Sequence, residues 1–175
     1  MQLSELGDRI CILGPSNSGK STLADAISRQ CGLPAVHLDQ YYHLPNTDWM
    51  PRPFDEFRYL HDKAILGDQW VMDGNYSKLT PQRFARATGL IVLEVSTLVS
   101  LTRYVRRSLF EADRQGPLEG GRDSVKWNMI RHIVITTPSN RRRYAELFEQ
   151  STLPKIRLAS LFAVNQAYKD WALLR

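Results

Sequence analysis

Four residues near the start of the chain have the types and the spacing that bind the phosphates of a nucleotide. Gly14, Gly19, Lys20 and Ser21 fit the pattern G-x-x-x-x-G-K-[ST]. A triphosphate must be wrapped by backbone N–H groups, and the two glycines let the chain turn without side chains in the way. Lys20 can bring positive charge to the β- and γ-phosphates, and the Ser21 hydroxyl can bind Mg²⁺. The pattern therefore predicts a site for a nucleoside triphosphate.

The flanking residues predict the strand, loop and helix that such a pattern requires. Residues 10–13 form a run rich in β-branched side chains, and apolar residues recur at helical spacing from Leu23 onward. A chance match is the alternative, and this context argues against it. Nucleotide binding is therefore assigned to the loop and the first turn of the helix: Gly14, Pro15, Ser16, Asn17, Ser18, Gly19, Lys20, Ser21 and Thr22.

Composition limits the class of protein. The chain has 175 residues, of which 43% are hydrophobic, and it contains two cysteines, Cys11 and Cys31. This length predicts a single domain, residues 1–175, with a sizeable core. There is no run of about 18 apolar residues and no signal-like leader, so we expect a cytoplasmic protein without a membrane segment. We expect both cysteines to be buried, since their spacing fits neither a disulfide framework nor a zinc site.

The formal net charge is +5, and positive charge concentrates in residues 96–150. A basic segment suits an anionic small molecule, but it also suits nucleic acid, so charge alone cannot decide between them. The sequence shows no helix-turn-helix, zinc finger or continuous basic stripe. Nucleic acid is therefore possible as a partner but not favoured.

Short apolar runs alternate with amphipathic segments. The strand-like runs are at 10–13, 35–38, 70–72, 90–93 and 156–159, and helical patterns cover about 20–31, 53–67, 98–110, 141–149 and 163–173. Residues 40–53 are rich in aromatic residues and proline, which predicts a loop. Strands that alternate with helices predict an α/β fold with a parallel sheet covered on both faces.

Two aspartates follow predicted strands at the edge where parallel sheets bind ligands. Asp39 comes after the second strand and Asp73 after the third. One carboxylate can receive the proton of a hydroxyl acceptor, and another can organise magnesium. The alternative is that each aspartate only caps a turn.

Arginines and aromatic residues complete the candidate set. Arg103, Arg106 and Arg107 lie opposite the apolar stripe of a predicted helix, where they could neutralise charge on a transferring phosphoryl group. A solvated helix face is the alternative. Tyr42 and Tyr76 could line an acceptor pocket, or they could pack loops onto the sheet.

The chain resembles the small nucleoside- and adenylate-kinase-like P-loop kinases. Within them it is most similar to the group known as topology modulation proteins (FlaR-like). The resemblance covers about residues 8–112 well and the remainder loosely. It rests on His37-Leu38-Asp39-Gln40-Tyr41-Tyr42, Trp49-Met50-Pro51 and Trp70-Val71-Met72-Asp73-Gly74-Asn75-Tyr76-Ser77, the last similar to that group's W-[VI]-x-D-G-N-Y element.

The resemblance implies a three-layer α/β/α fold with a five-stranded parallel sheet, an acceptor-binding insertion at about 40–67 and a short lid at about 111–123. It implies a kinase that moves the γ-phosphoryl group of ATP to a small acceptor with Mg²⁺ as cofactor. We expect a monomer or a homodimer. The acceptor would be a nucleoside, a nucleotide or a related hydroxyl compound. The catalytic residues would be Lys20, Asp39, Arg103, Arg106 and Arg107; the acceptor would meet Asp39, Tyr42, Arg52, Asn75 and Tyr76; magnesium would meet Ser21 and Asp73.

The chain departs from true adenylate kinases after Asp73-Gly74. Those enzymes have the motif D-G-[FY]-P-R, whose arginine holds a nucleotide phosphate, whereas this chain reads Asn75-Tyr76-Ser77. Arg52 or Arg58 could substitute for that arginine. Two other interpretations stay open: a nucleotide-gated DNA-binding or regulatory protein, and an ATPase whose acceptor is water.

Overall fold

A five-stranded sheet forms the centre of the fold. The computed structural model describes residues 1–97, 99–102 and 137–174, with only the backbone for residues 137–141. The strands are β1 (Arg9–Leu13), β2 (Ala35–His37), β3 (Trp70–Asp73), β4 (Gly89–Leu93) and β5 (Lys155–Leu158). All neighbouring strands are parallel, in the order β2-β3-β1-β4-β5. The predicted five-stranded parallel sheet is confirmed.

Helices connect and cover these strands. The α-helices are α1 (Lys20–Cys31), α2 (Leu38–Tyr42), α3 (Phe54–Ile65), α4 (Thr80–Arg86), α5 (Thr137–Gln150) and α6 (Leu161–Asp170), with 3₁₀ turns at Leu3–Leu6 and Ser77–Leu79. Residues 97 and 99–102 are also helical. None of the helices in these described ranges is long and apolar enough to cross a membrane. The predicted lid at 111–123 lies outside the described residues.

Alternate residues of β1 face opposite layers of the fold. Ile10 and Ile12 pack with buried residues of α1 and α6, whereas Cys11 and Leu13 pack with Phe57 of α3. These side chains are at most 1% exposed. A parallel strand that is apolar on both faces must be covered on both faces, so the chain forms the predicted three-layer α/β/α arrangement.

Helix α1 has the ends that the sequence predicts. It runs from Lys20 to Cys31 between the capping residues Gly19 and Gly32, which have left-handed φ values of 95° and 72°. The Gly32 N–H donates to the carbonyl oxygen of Ser28 at 2.8 Å, which closes the last turn. This helix places its N-terminus directly after the loop of residues 14–19.

Several predicted boundaries differ from the structure. The second strand ends at His37, and Asp39 lies in α2, which occupies the start of the segment predicted as a loop. Five-residue α2 is too short to show a helical period in the sequence. Helix α5 begins at Thr137, because Pro138 fits the first turn of a helix. The last helix is Leu161–Asp170 rather than 163–173.

One of the two cysteine predictions is wrong. Cys11 is buried in β1, and burial raises the pKa of its thiol to about 11. Cys31 is the last residue of α1 and is exposed, although it lies four residues after buried Ile27 on the same face of the helix. Both thiols are free.

His61 is a titratable group on the buried face of α3. Its side chain is 0% exposed, and its Nδ1 lies 2.8 Å from Oδ1 of Asp62. Burial lowers the pKa of His61, and the Asp62 carboxylate does not offset this effect. The folded protein therefore holds the neutral imidazole more strongly than the unfolded chain does.

We expect the free energy of unfolding to fall on acidification below about pH 6.5, the ordinary histidine pKa. Below that pH the unfolded chain binds a proton at His61 that the folded protein resists, with a limiting slope of about 1.4 kcal/mol per pH unit. Urea unfolding of the wild type and of His61→Leu at several pH values would measure this. The free energy of unfolding of His61→Leu should fall less steeply with decreasing pH than that of the wild type. Equal pH slopes in the two proteins would exclude His61 as the source of the loss.

Candidate active site

The segment of residues 14–19 makes a tight turn between β1 and α1. Gly14, Asn17 and Gly19 all have positive φ, at 148°, 60° and 95°. A Cβ atom on Gly14 would lie 2.6 Å from the carbonyl oxygen of Leu93, so a side chain has no room there. Left-handed positions in a short turn direct backbone N–H groups into one concavity, which is suited to anions.

Lys20, Ser21 and Thr22 are the first residues of α1. Lys20 reaches back along the turn, and its Nζ donates to the carbonyl oxygen of Pro15 at 2.8 Å. The N-terminus of a helix carries partial positive charge and directs N–H groups outward. A phosphate group in the turn would therefore meet both the helix N-terminus and the lysine charge.

A chain of hydrogen bonds links α1 to the ends of β2 and β3. The Ser21 hydroxyl donates to Oδ2 of Asp73 at 2.8 Å. Oδ1 of the same carboxylate lies 2.5 Å from Nδ1 of His37, and the other ring nitrogen, Nε2, lies 3.0 Å from Oδ1 of Asp25. Asp73 is 4% exposed and His37 is 9% exposed, so most of this network is shielded from water.

Strand register and helix periodicity together build this network. His37 and Asp73 are register partners on neighbouring parallel strands, so their side chains share a face of the sheet. That face is covered by α1, where Ser21 and Asp25 are four residues apart and therefore on one side of the helix. Asp73 thus contacts Ser21, and His37 contacts Asp25.

His37 is held between two carboxylates. Burial by itself would lower the pKa of His37, but the hydrogen bonds and charges of Asp73 and Asp25 outweigh it and leave the pKa above its ordinary value. The protonated ring can donate from both nitrogens, one to each carboxylate. This arrangement fixes one oxygen of Asp73 on His37 and directs the other toward Ser21.

Ser21 and Asp73 fit the donor set that Mg²⁺ prefers. A hydroxyl and a carboxylate oxygen lie 2.8 Å apart beside the phosphate-binding turn, and magnesium bound with a nucleotide takes few protein ligands because phosphates and waters supply the rest. In the described part of the chain, no group of three or more His, Cys, Asp or Glu residues could hold a metal ion. The pair of Ser21 and Asp73 suits a metal that is bound together with the phosphates of a nucleotide.

Asp39 lies in the first turn of α2, just beyond the end of β2. Its side chain is exposed, and its Oδ1 accepts a hydrogen bond from the Tyr76 hydroxyl at 2.5 Å. Burial, followed by the Asp39 charge, raises the pKa of Tyr76, so this hydroxyl keeps its proton and remains a donor. The carboxylate is thus oriented by a neutral donor at the open edge of the sheet.

Aromatic rings pack beside this carboxylate. The ring centroids of Tyr42 and Tyr76 are 4.9 Å apart, those of Phe57 and Tyr76 are 4.9 Å apart, and those of Tyr42 and Phe57 are 5.2 Å apart. Trp49 packs on His43, with ring centroids 5.0 Å apart, and His43 in turn packs on Tyr42. The rings pack α2, α3 and the turn after β3 against one another, and they form an apolar wall beside Asp39.

Asn75 contacts the phosphate-binding turn rather than the aromatic wall. Its Oδ1 accepts from the Gly14 N–H at 3.1 Å, and its Nδ2 donates to the Gly14 carbonyl oxygen at 2.9 Å. The amide therefore pairs with both backbone groups of one loop residue. A role for Asn75 in contacting the acceptor stays a prediction.

Arg52, which the sequence predicts to contact an acceptor, bonds to residues of its own segment. Its Nε donates to the Tyr41 carbonyl oxygen at 3.0 Å, and one of its terminal nitrogens lies 3.6 Å from Glu56. A surface hollow of about 410 Å³ is lined by Arg52, Asp55, Glu56, Tyr59 and Leu60, none of which belongs to the phosphate-binding turn. Three further predicted residues, Arg103, Arg106 and Arg107, lie outside the described residues.

Sequence reasoning did not select Asp25, His37 or Arg83 as site residues. The spacing of Ser21 and Asp25 indicates that they share a helix face, but nothing local shows that His37 lies opposite them. Arg83 lies in α4 and is 0% exposed, and it donates to backbone oxygens of the turn after β3. An arginine in a short amphipathic segment normally indicates a solvated surface, so its burial could not be predicted.

Solved structures of P-loop kinases share this fold. A gluconokinase from Sinorhizobium meliloti 1021 matches with a TM-score of 0.56 and 16% identity, over 96% of this chain and 93% of that one. A shikimate kinase from Acinetobacter baumannii in complex with shikimate matches with a TM-score of 0.59 and 15% identity, over 95% and 92%. The shikimate kinase from Bacteroides thetaiotaomicron matches with a TM-score of 0.55 and 18% identity, over 93% of this chain and 94% of that one.

These likenesses define the class of fold. The chain has the α/β fold of the P-loop kinases, with a five-stranded parallel sheet and flanking helices. At such low identity the likeness extends to the fold alone, and function must be argued from the site. No protein-family model and no curated protein sequence matches the chain.

A substitution of Gly74 tests how much the turn after β3 contributes to the stability of the fold. Its φ is 129°, and a Cβ atom there would lie 2.8 Å from Cβ of Leu38. Because backbone strain and a clash add together, we expect Gly74→Ala to lower the free energy of unfolding by about 3 kcal/mol. Urea unfolding would measure the loss.

Gly32→Ala is the matched control for Gly74→Ala. Gly32 also has positive φ, at 72°, but nothing lies within 4 Å of the position of its Cβ atom. Strain without a clash should cost about 1 kcal/mol. Equal losses in the two variants would contradict the close packing of Gly74 against Leu38.

Proposed function

We propose that this protein is an ATP-dependent phosphotransferase that moves the γ-phosphoryl group to a hydroxyl group of a small acceptor. One observation carries the proposal: the phosphate-binding turn after β1, Asp39 after β2 and Asp73 at the end of β3 meet at one edge of the sheet. Ligands of open α/β folds bind at this edge. The P-loop kinase fold of the neighbours supports phosphotransfer in general.

Each residue has a role that follows from its position. The turn and Lys20 hold the phosphates of ATP, and Ser21 and Asp73 would hold magnesium, which neutralises phosphate charge when bound. Asp39 accepts the proton of the acceptor hydroxyl while that oxygen bonds to the γ-phosphorus. The bond between the γ-phosphorus and the oxygen that bridges the β- and γ-phosphates breaks at the same time, and ADP leaves with the bridging oxygen.

The acceptor side of the proposal comprises about residues 40–67 and the aromatic wall. Arg52 and Arg58 are the described arginines that could replace the phosphate-binding arginine of adenylate kinases, and both are near carboxylates, at 3.6 Å from Glu56 and 3.1 Å from Asp55. These pairs favour an acceptor without a phosphate group. The aromatic wall favours one with a ring or another apolar face.

The remaining parts of the proposal rest on the sequence. Arg103, Arg106 and Arg107 would neutralise charge on the transferring group, and residues 111–123 would form a lid over it. The likeness to topology modulation proteins rests on the element from Trp70 to Ser77. A single domain of residues 1–175 and a cytoplasmic location complete the proposal.

ADP release from Mg-ATP tests this function across a panel of nucleosides, nucleoside monophosphates and small hydroxyl compounds, including shikimate and gluconate. We expect one acceptor class to stimulate turnover, and Asp39→Asn to reduce it by about 100-fold or more, because a general base is worth that much. Lys20→Ala should abolish it. Lys169→Ala and Asp68→Asn are the controls. They change an exposed lysine and an exposed aspartate outside residues 40–67 and should leave turnover unchanged.

Other outcomes would identify the alternative functions. ADP release that no acceptor stimulates would indicate an ATPase that uses water. Binding of duplex DNA that weakens with salt and survives Lys20→Ala would favour a DNA-binding protein. Bound ATP with no turnover on the whole panel would contradict the kinase proposal.

A further inference from the structure

Arg83 is a buried cation that the proposed reaction does not use directly. Its side chain is 0% exposed, and its terminal nitrogens donate to three oxygens: Gly74 O at 3.0 Å, Asn75 O at 2.9 Å and Thr80 Oγ1 at 3.4 Å. None of the ion pairs found among the described residues involves Arg83. Its hydrogen-bond partners are therefore two backbone carbonyl groups and one hydroxyl group, and its buried Nε has no partner among the described residues. The charge of Asp73 also favours the protonated guanidinium.

Burying a cation costs free energy, so an arginine at this position indicates a role that an apolar residue could not fill. Removing a guanidinium from water costs free energy, and carbonyl dipoles repay it only with good geometry. The planar fork of arginine can hold two neighbouring carbonyl oxygens at once, which a lysine ammonium on a flexible stem does less well. Arg83 uses that fork on consecutive residues, Gly74 and Asn75.

The turn that Arg83 holds has an unusual backbone. Gly74 has φ of 129°, and Tyr76 has φ of 25° and ψ of 65°. A bulky residue with positive φ is uncommon and persists only where its surroundings hold it in place. Here the surroundings are the guanidinium of Arg83 on one side and the rings of Tyr42 and Phe57 on the other.

Adjacent side chains of this turn reach both halves of the candidate site. Asn75 pairs with both backbone groups of Gly14 in the phosphate-binding turn. Tyr76 donates to the Asp39 carboxylate on the acceptor side. The position of the turn therefore fixes the distance between the residue that holds phosphate and the residue that would take the proton.

We propose that Arg83 is a positioning residue that locks the 74–76 turn and thereby couples the phosphate-binding turn to Asp39. The inference rests on the proposed function for the role of Asp39, but the coupling itself is a property of the fold. Loss of the Arg83 fork displaces Asn75 and Tyr76 together. Nucleotide affinity then falls, and the Asp39 carboxylate loses its fixed orientation at the same time.

Arg83→Lys and Tyr76→Phe test the coupling, with Arg86→Lys as the control on the same helix. Arg86 donates to Leu66 O and does not touch the turn. We expect Arg83→Lys to weaken binding of a non-hydrolysable ATP analogue with Mg²⁺ by about 5-fold or more. Tyr76→Phe should leave that affinity within about twofold, because it removes only the contact to Asp39.

With an active acceptor, Tyr76→Phe should lower kcat by about 10-fold or more with little change in KM, because Asp39 loses its orientation. The double variant should be no slower than Arg83→Lys alone, since both changes act through the same contact. Arg86→Lys should match the wild type in all these measurements. Additive losses would overturn the coupling.

Ultraviolet titration of tyrosine gives a readout that needs no turnover. Burial and Asp39 raise the pKa of Tyr76, so its ring should resist ionisation in the wild type. In Arg83→Lys one more tyrosine should ionise near its ordinary pKa of about 10, and this signal should vanish in the double variant with Tyr76→Phe. A silent acceptor panel would count against the kinase alone, because affinity and titration still report the coupling.

Wild-type nucleotide affinity and an unchanged titration in folded Arg83→Lys would overturn the proposal. If Arg83→Lys does not fold, Asn75→Ala and Tyr76→Phe test the two contacts separately. Asn75→Ala should weaken binding of the ATP analogue, whereas Tyr76→Phe should not. Equal effects of these two variants on nucleotide affinity would overturn the assignment of one contact to each half of the site.

Discussion

The parallel register of β1, β2 and β3 is the constraint on which the candidate site depends. Asp73 is the register partner of Ile12 on one side and of His37 on the other. The three strands therefore end at one edge, and the loops that leave them begin next to one another. A shift of β3 by one residue would turn Asp73 to the opposite face, away from Ser21. The core residues on both faces of β3 prevent that shift.

The polar groups at this edge are buried in connected pairs rather than singly. A buried carboxylate or guanidinium is tolerated only when most of its hydrogen-bonding groups have partners, and a partly satisfied network is unstable. Asp73 meets Ser21 and His37, and Arg83 meets the carbonyl groups of the turn after β3. These contacts restrain one another, because moving one group would leave its buried partner without a hydrogen bond. Rigidity of this kind is what phosphoryl transfer needs, since its catalysis depends on position and charge.

The likeness to gluconokinase and shikimate kinase structures concerns the sheet and its connections. At 15–18% identity most side chains differ, so the contacts around Asp39 in this chain are described by themselves. The aromatic wall, the link from Tyr76 to Asp39 and the paired arginines all lie within residues 39–76. Because the likeness is one of fold, the chemistry of this chain must be argued from these residues and not from the neighbours.

The sequence by itself determined the features that depend on neighbours along the chain. The tight turn of residues 14–19, the ends of α1 and the five strands follow from glycine conformation, helix capping and apolar runs, which are all local. Only the tertiary structure decided that Asn75 reaches Gly14, that Tyr76 reaches Asp39 and that Arg83 is buried. The first two contacts join residues 61 and 37 positions apart, and no local pattern encodes them. They exist because strand order and register bring distant loops to one edge, and that arrangement is a property of the whole packed core.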